Sequence, residues 1–122
     1  MEECPEQRLL LGARDLVARS WCRGADARDE SGVSVEPWDE RAASWSLLGA
    51  LVAVLEHGVE ASGEMPLEHL AAALYALSEL IEEDSLAQWN DAPSRTQGAV
   101  VSVLDRAAGA CKSRRHFTVT PL

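Results

Sequence analysis

Residues 88–97 read Gln-Trp-Asn-Asp-Ala-Pro-Ser-Arg-Thr-Gln, and several of these side chains could do chemistry. Arg95 can hold an anion through a planar fork of N–H donors, Trp89 can wall a pocket, and Asn90 and Asp91 can orient a polar group. The same residues suit a joint between two helices. Trp89 would then plug the core, Asn90 or Asp91 would cap a turn, and Arg95 would pair with Asp91 four positions away. Every helix end needs caps while ligand pockets are few, so the brace is preferred and the site is its rival.

Cys22, between Trp21 and Arg23, is the other reactive candidate, because a neighbouring cation can lower a thiol pKa and produce a nucleophile. Free cysteines are more often small buried hydrophobes, and no His-plus-Asn/Asp signature of a thiol enzyme accompanies this one. Packing is therefore favoured for Cys22. Among the histidines, His57 falls near an expected helix C-terminus, His69 in the first turns of a helix and His116 in the tail. No Glu-x-x-His pair and no H-E-x-x-H is present, and Gly-rich phosphate loops, G-x-S-x-G and paired cysteines are absent. No catalytic set, metal site or cofactor is expected.

A net charge of −9, from 20 acidic and 11 basic residues, repels phosphate backbones and anionic lipid, so neither nucleic acid nor membrane is an expected partner. Residues 112–116, Lys-Ser-Arg-Arg-His, are the one basic cluster and suit the carbonyl end of a last helix. Cys4, Cys22 and Cys111 are odd in number and widely spaced, which fits a reducing compartment better than a disulfide framework or a zinc site. The acidic N-terminal residues lack the pattern of a signal peptide, and the uncharged run 42–55 is too short to span a bilayer. A cytoplasmic location is expected.

These side chains have to be carried by helices. Leu9, Leu10, Ala13, Leu16 and Val17 recur at three- and four-residue steps and predict a first helix over about 6–20. Residues 22–37 are polar, with turn character at Glu30-Ser31-Gly32 and alternation at Val33 and Val35. They predict a long loop over the helix ends with room for a short hairpin. A second helix is expected from Trp38 or Asp39 to His57, stopped by Gly58. It is apolar nearly all round past Arg41, which puts it, with Trp45, at the centre of the bundle, and Gly49-Ala50 would let another helix approach. A third helix should open at Pro66 and run to about Glu83, with a short turn over 85–89. The capping-box spacing of Ser94 and Gln97 then opens a fourth long helix whose stripe is Val100, Val103, Leu104, Ala107, Ala108 and Cys111, with a frayed tail from Ser113. The fold class expected is all-α: a compact bundle of four long helices plus a short helical turn, with a long loop after the first helix. Residues 1–116 form the single domain and 117–122 the tail.

Three blocks taken together carry a resemblance: Trp21-Cys22-Arg23-Gly24-Ala25, then Trp45-Ser46-Leu47-Leu48-Gly49-Ala50, then Trp89-Asn90-Asp91 followed by Arg95-Thr96. In that order, over about residues 9–110, they resemble a family of short bacterial and phage helical proteins known as a domain of unknown function. In that family a cysteine often follows the tryptophan of the middle block, where this chain has Ser46. The resemblance implies no activity. It implies that Trp21, Cys22, Trp45, Trp89, Asp91 and Arg95 form one constellation, and with Asn90 they are the candidate ligand- or partner-binding residues. Two functions remain open. The favoured one is a small non-enzymatic binding, accessory or regulatory module for a protein or small-molecule partner. The alternative is a small enzyme or metabolite-binding protein whose inter-helix pocket is lined by tryptophans and the Asp91/Arg95 pair. Oligomeric state is left open.

Overall fold

Leu9, Leu10, Ala13 and Val17 are buried along one stripe of helix α1 (Pro5–Arg19), as their helical spacing requires. The computed structural model describes residues 5–62, 67–83 and 85–118. After α1 come β1 (Ala27–Arg28), β2 (Ser34–Val35), β3 (Ser44–Trp45), α2 (Leu47–Ser62), α3 (Leu67–Leu80), α4 (Leu86–Asp91) and α5 (Gln97–Thr118).

The α1 stripe meets the buried faces of three helices: Leu47, Ala50, Leu51 and Leu55 of α2, Ala73, Ala76 and Leu77 of α3, and Val100, Val103, Leu104, Ala107 and Ala108 of α5. Helices α1 and α5 are antiparallel and stitched at both ends by amides. Gln7 Nε2 donates to the Ala108 carbonyl at 3.0 Å, and Gln97 Nε2 donates to the Val17 carbonyl at 2.7 Å. Between them Arg14 pairs with Asp105 at 2.7 Å.

The expectation of a purely helical bundle with four long helices is corrected. The described residues form five helices and a three-stranded antiparallel sheet in the order β2-β1-β3. Ala27 faces Val35 on one side and Trp45 on the other, and Arg28 faces Ser34 and Ser44. The β1–β2 turn is closed by the Asp29 carboxylate, which accepts from Ser31 N and Val33 N, with Gly32 in the left-handed region at φ 88°.

The expected start of the second helix is corrected with it. Residues 38–46 are turn and strand, for two local reasons. Asp39 folds its carboxylate onto the Arg41 amide at 2.8 Å, which fixes a turn in place of a first helical turn. Ser46 then caps α2, its Oγ accepting from Gly49 N at 3.0 Å. Trp45 therefore lies in β3, half-buried, and α1 is the helix that packs on the other three long ones.

Other boundaries also differ. Helix α2 continues through Gly58 to Ser62. Gly49 admits a loop, not a helix: a Cβ there would sit 1.8 Å from the Asp26 carbonyl oxygen. Thr96, not Ser94, caps α5, with Ala99 N on its Oγ1 at 3.1 Å, and α5 stays helical past Ser113 to Thr118. The opening of the third helix at Pro66 lies outside the described residues, as do Cys4 and the side chains of Cys111 and His116.

Candidate functional site

Ser85 caps α4, its Oγ accepting from Gln88 N at 3.2 Å, and Pro93 follows the helix end. This short helix turns Asn90 inward, where the side chain is 1% exposed, and all its hydrogen-bonding capacity is used on three separate segments. Its Oδ1 accepts from Trp21 Nε1 at 2.8 Å and from Leu47 N at 3.1 Å, so it ties the end of α1 to the start of α2. Its Nδ2 donates to the Cys22 carbonyl at 3.2 Å and to Asp91 Oδ1 at 3.0 Å. Asp91 Oδ1 also accepts from Gly24 N at 3.0 Å, where the backbone turns at φ 77°. Beside this hub Trp21 and Trp45 form an isolated parallel bridge, Cys22 N donates to the Trp45 carbonyl, and Trp45 Nε1 donates to the Pro37 carbonyl at 3.2 Å. Trp21, Cys22, Trp45, Asn90 and Asp91 are thus brought together around one buried amide.

Arg95 and Trp89 stand on the outer side of the same joint. The expected Asp91–Arg95 brace is not formed. Arg95 instead donates from Nε to the Trp89 carbonyl at 2.7 Å, and its guanidinium lies 3.8 Å over the Trp89 ring. Arg23 repeats the arrangement with its guanidinium 5.0 Å from the Trp21 ring, and its Nη2 donates to the Arg95 carbonyl. Arg28 adds a third cation, donating from Nε and Nη2 to the Arg23 carbonyl and from Nη1 to the Gly32 carbonyl at 2.8 Å. Three guanidinium groups are therefore linked in series through backbone oxygens: Arg28 to residue 23, Arg23 to residue 95, Arg95 to residue 89. None of the three pairs with a described carboxylate, whereas Arg14 pairs with Asp15 and Asp105 and Arg41 with Asp39.

Arg23 and Arg28 are not among the sequence candidates. In sequence Arg23 stands out only as a neighbour that could activate Cys22, and Arg28 lies in a polar stretch whose pairing with residues 34 and 44 has no local signal. The Cys22 thiol is buried and points to the Ala25 carbonyl at 3.6 Å. Burial pushes its pKa up against the smaller opposing pulls of Ser44 and Arg28, which is the reverse of an activated nucleophile.

A cleft of about 180 Å3 opens beside the hub, lined by Gly24, Ala25, Asp26, Ser46, Leu48, Ala87, Asn90 and Asp91. No tryptophan and no arginine lines it. Among the described residues no group of three or more His, Cys, Asp or Glu side chains is placed to hold a metal ion, and no helix is long and apolar enough to cross a membrane.

The model of a family of unknown function, DUF6197, matches residues 1–110, a span holding every residue of the joint. The chain belongs to that family. Comparison with curated proteins and with solved structures gives no match. DUF6197 carries no described activity, so the reading of this member rests on its own geometry.

Proposed function

We propose that this protein is a non-enzymatic binding module whose partner docks on the face made by Arg23, Arg28 and Arg95 with the indoles of Trp21 and Trp89. The observation that carries the reading is the series of guanidinium-to-carbonyl contacts. It gathers three cations and neutralises none of them with a described carboxylate, in a chain with 20 acidic residues to draw on. A backbone carbonyl orients a guanidinium but leaves its charge in place, so the face keeps a local positive field on an acidic protein. Like charges held together oppose folding, and such arrangements persist where the charge acts outward. The two indoles add the aromatic surface that interfaces favour, and arginine is itself enriched there.

The metabolite-pocket alternative has less support. The cleft beside Asn90 is smaller than the roughly 300–1,000 Å3 of ordinary small-molecule sites, and of the required Trp and Asp/Arg lining only Asp91 is in it. The net charge of −9 still disfavours nucleic acid and anionic membranes as partners, and the buried reduced Cys22 fits a cytoplasmic setting. We also take the three tryptophan blocks as the local signature of the family in this chain, since their residues meet at one joint, and a bacterial or phage source as the setting in which the partner is to be sought.

Affinity capture with quantitative mass spectrometry tests this, comparing the native chain with the Arg23→Ala/Arg95→Ala variant. The expected result is at least one protein enriched by the native chain that falls to background with the variant. Identical captured sets would contradict the assignment of this face.

A further inference from the structure

Resting on that reading, we infer that the partner presents carboxylate side chains: an acidic peptide segment, two of whose carboxylates pair with Arg23 and Arg95. The protein uses Arg95 Nε on the Trp89 carbonyl and stacks the guanidinium 3.8 Å over that residue's ring, so its plane is set and its two Nη groups have no described partner. Arg23 uses one Nη2 donor on the Arg95 carbonyl and keeps its other donors, on a guanidinium held against Trp21. Each is an oriented planar pair of N–H groups. That is the shape a carboxylate matches with two parallel hydrogen bonds, and because protein contacts already hold the fork, little rotamer freedom is lost on binding.

Phosphate matches the same fork, and the surrounding charge separates the two ligands. Asp91 accepts from the Gly24 amide next to Arg23 in the chain, Asp26 lines the cleft at the same turn, and the whole chain carries nine excess negative charges. A dianionic phosphate meets this repulsion about twofold more strongly than a monoanionic carboxylate in the same place, and a phosphodiester, singly charged like a carboxylate, is distinguished from it by titration. A side-chain carboxylate on a peptide brings one charge to each arginine and an apolar stem to lie on the indole edges. Arg23 reaches the backbone of residue 95, so the two residues meet in the fold, and two carboxylates on one flexible chain can serve both guanidinium groups.

The test is an NMR titration of the full chain, following the arginine Nε–H signals, with synthetic hexaglutamate as probe and inorganic phosphate and a single-stranded oligonucleotide as comparators. Hexaglutamate is expected to shift the Arg23 and Arg95 signals and not that of Arg14. Binding should weaken about tenfold in Arg95→Ala, less in Arg95→Lys, and should fall with added salt. The inference is overturned by no shift, by equal binding to Arg95→Ala, or by tighter binding of phosphate or the oligonucleotide at these arginines. If the captured partner is lost with Arg23→Ala/Arg95→Ala while hexaglutamate gives no response, the carboxylate assignment alone fails. If capture is unchanged, the binding face fails with it.

Discussion

The buried amide of Asn90 and the half-buried guanidinium of Arg95 are five residues apart and belong to opposite regimes. Every polar atom of Asn90 is satisfied inside the protein, by partners drawn from the end of α1, the turn after it and the start of α2. Arg95 is oriented by the protein but not neutralised by it, and Arg23 and Arg28 share that condition. A fully satisfied buried polar group specifies how segments meet, because each partner would be left unpaired in any other arrangement. A fixed cation without an anion has its strongest unmet interaction outside the molecule. The contrast separates what builds the joint from what the joint displays.

The sharpest way to break the comparison is at the hub. Asn90→Ala strips Trp21 Nε1, Leu47 N and the Cys22 carbonyl of their partner at once, and each buried unpaired group costs about 1–3 kcal/mol. A loss of at least about 3 kcal/mol is expected in urea unfolding, and Asn90→Asp should not rescue it, since a carboxylate keeps the acceptor but loses the amide donor and adds charge. A loss under about 1 kcal/mol would mean that the segments are held together by packing alone.

Gly49→Ala comes next. In most helices this change stabilises by about 1 kcal/mol, but here the new Cβ would meet the Asp26 carbonyl oxygen at 1.8 Å, and backbone cannot swing aside as a side chain can. A net destabilisation of about 2 kcal/mol by thermal or urea melt is expected. A stabilised variant would show that the sheet region rests loosely on α2.

The smallest effect sharpens the difference between paired and unpaired arginines. Hydrogen bonds from Arg41 hold the Asp39 carboxyl down at about 2, below its usual 3.8. A carboxyl whose folded-state pKa is depressed stabilises the fold above its unfolded value, and that contribution fades as pH falls from about 4 toward 2. Asp39→Asn should therefore be slightly less stable than the native chain at neutral pH, converge with it as pH falls toward 2, and so flatten the acid limb of the stability profile in that window. Removing Arg23 or Arg95, which have no described carboxylate partner, should leave that limb unchanged.

Much of the helical frame was legible because its signals are local. The α1 stripe and the α5 stripe repeat at 3.6-residue spacing, and both helices lie where the spacing puts them. The sheet was not legible because its strands are two residues long and paired across turns, so neither Ala27 nor Ser44 carries a period of its own. Trp45 was misread for the same reason: the apolar run 42–55 is continuous in sequence, while the break inside it depends on one Ser46 hydroxyl capping Gly49. At the joint, Trp21, Trp45, Asn90 and Asp91 converge in space, a grouping that only the family resemblance implied, since no local spacing links the three blocks. The partner of Arg95 was misassigned because spacing alone cannot tell a carboxylate four residues back from a carbonyl six residues back. Arg23 and Arg28 were missed because the contacts linking them to residues 95 and 32 exist only in the folded chain.

The most direct test of the account sets stability against binding in one variant. For Arg23→Ala/Arg95→Ala, urea unfolding and partner capture are measured on the same preparation as the native chain. Two partly exposed cation–π contacts are worth about 1 kcal/mol each, so the account predicts a stability loss of no more than about 2 kcal/mol together with complete loss of the captured partner. A loss as large as that of Asn90→Ala, or a partner still captured at the native level, would contradict it and return these arginines to the scaffold.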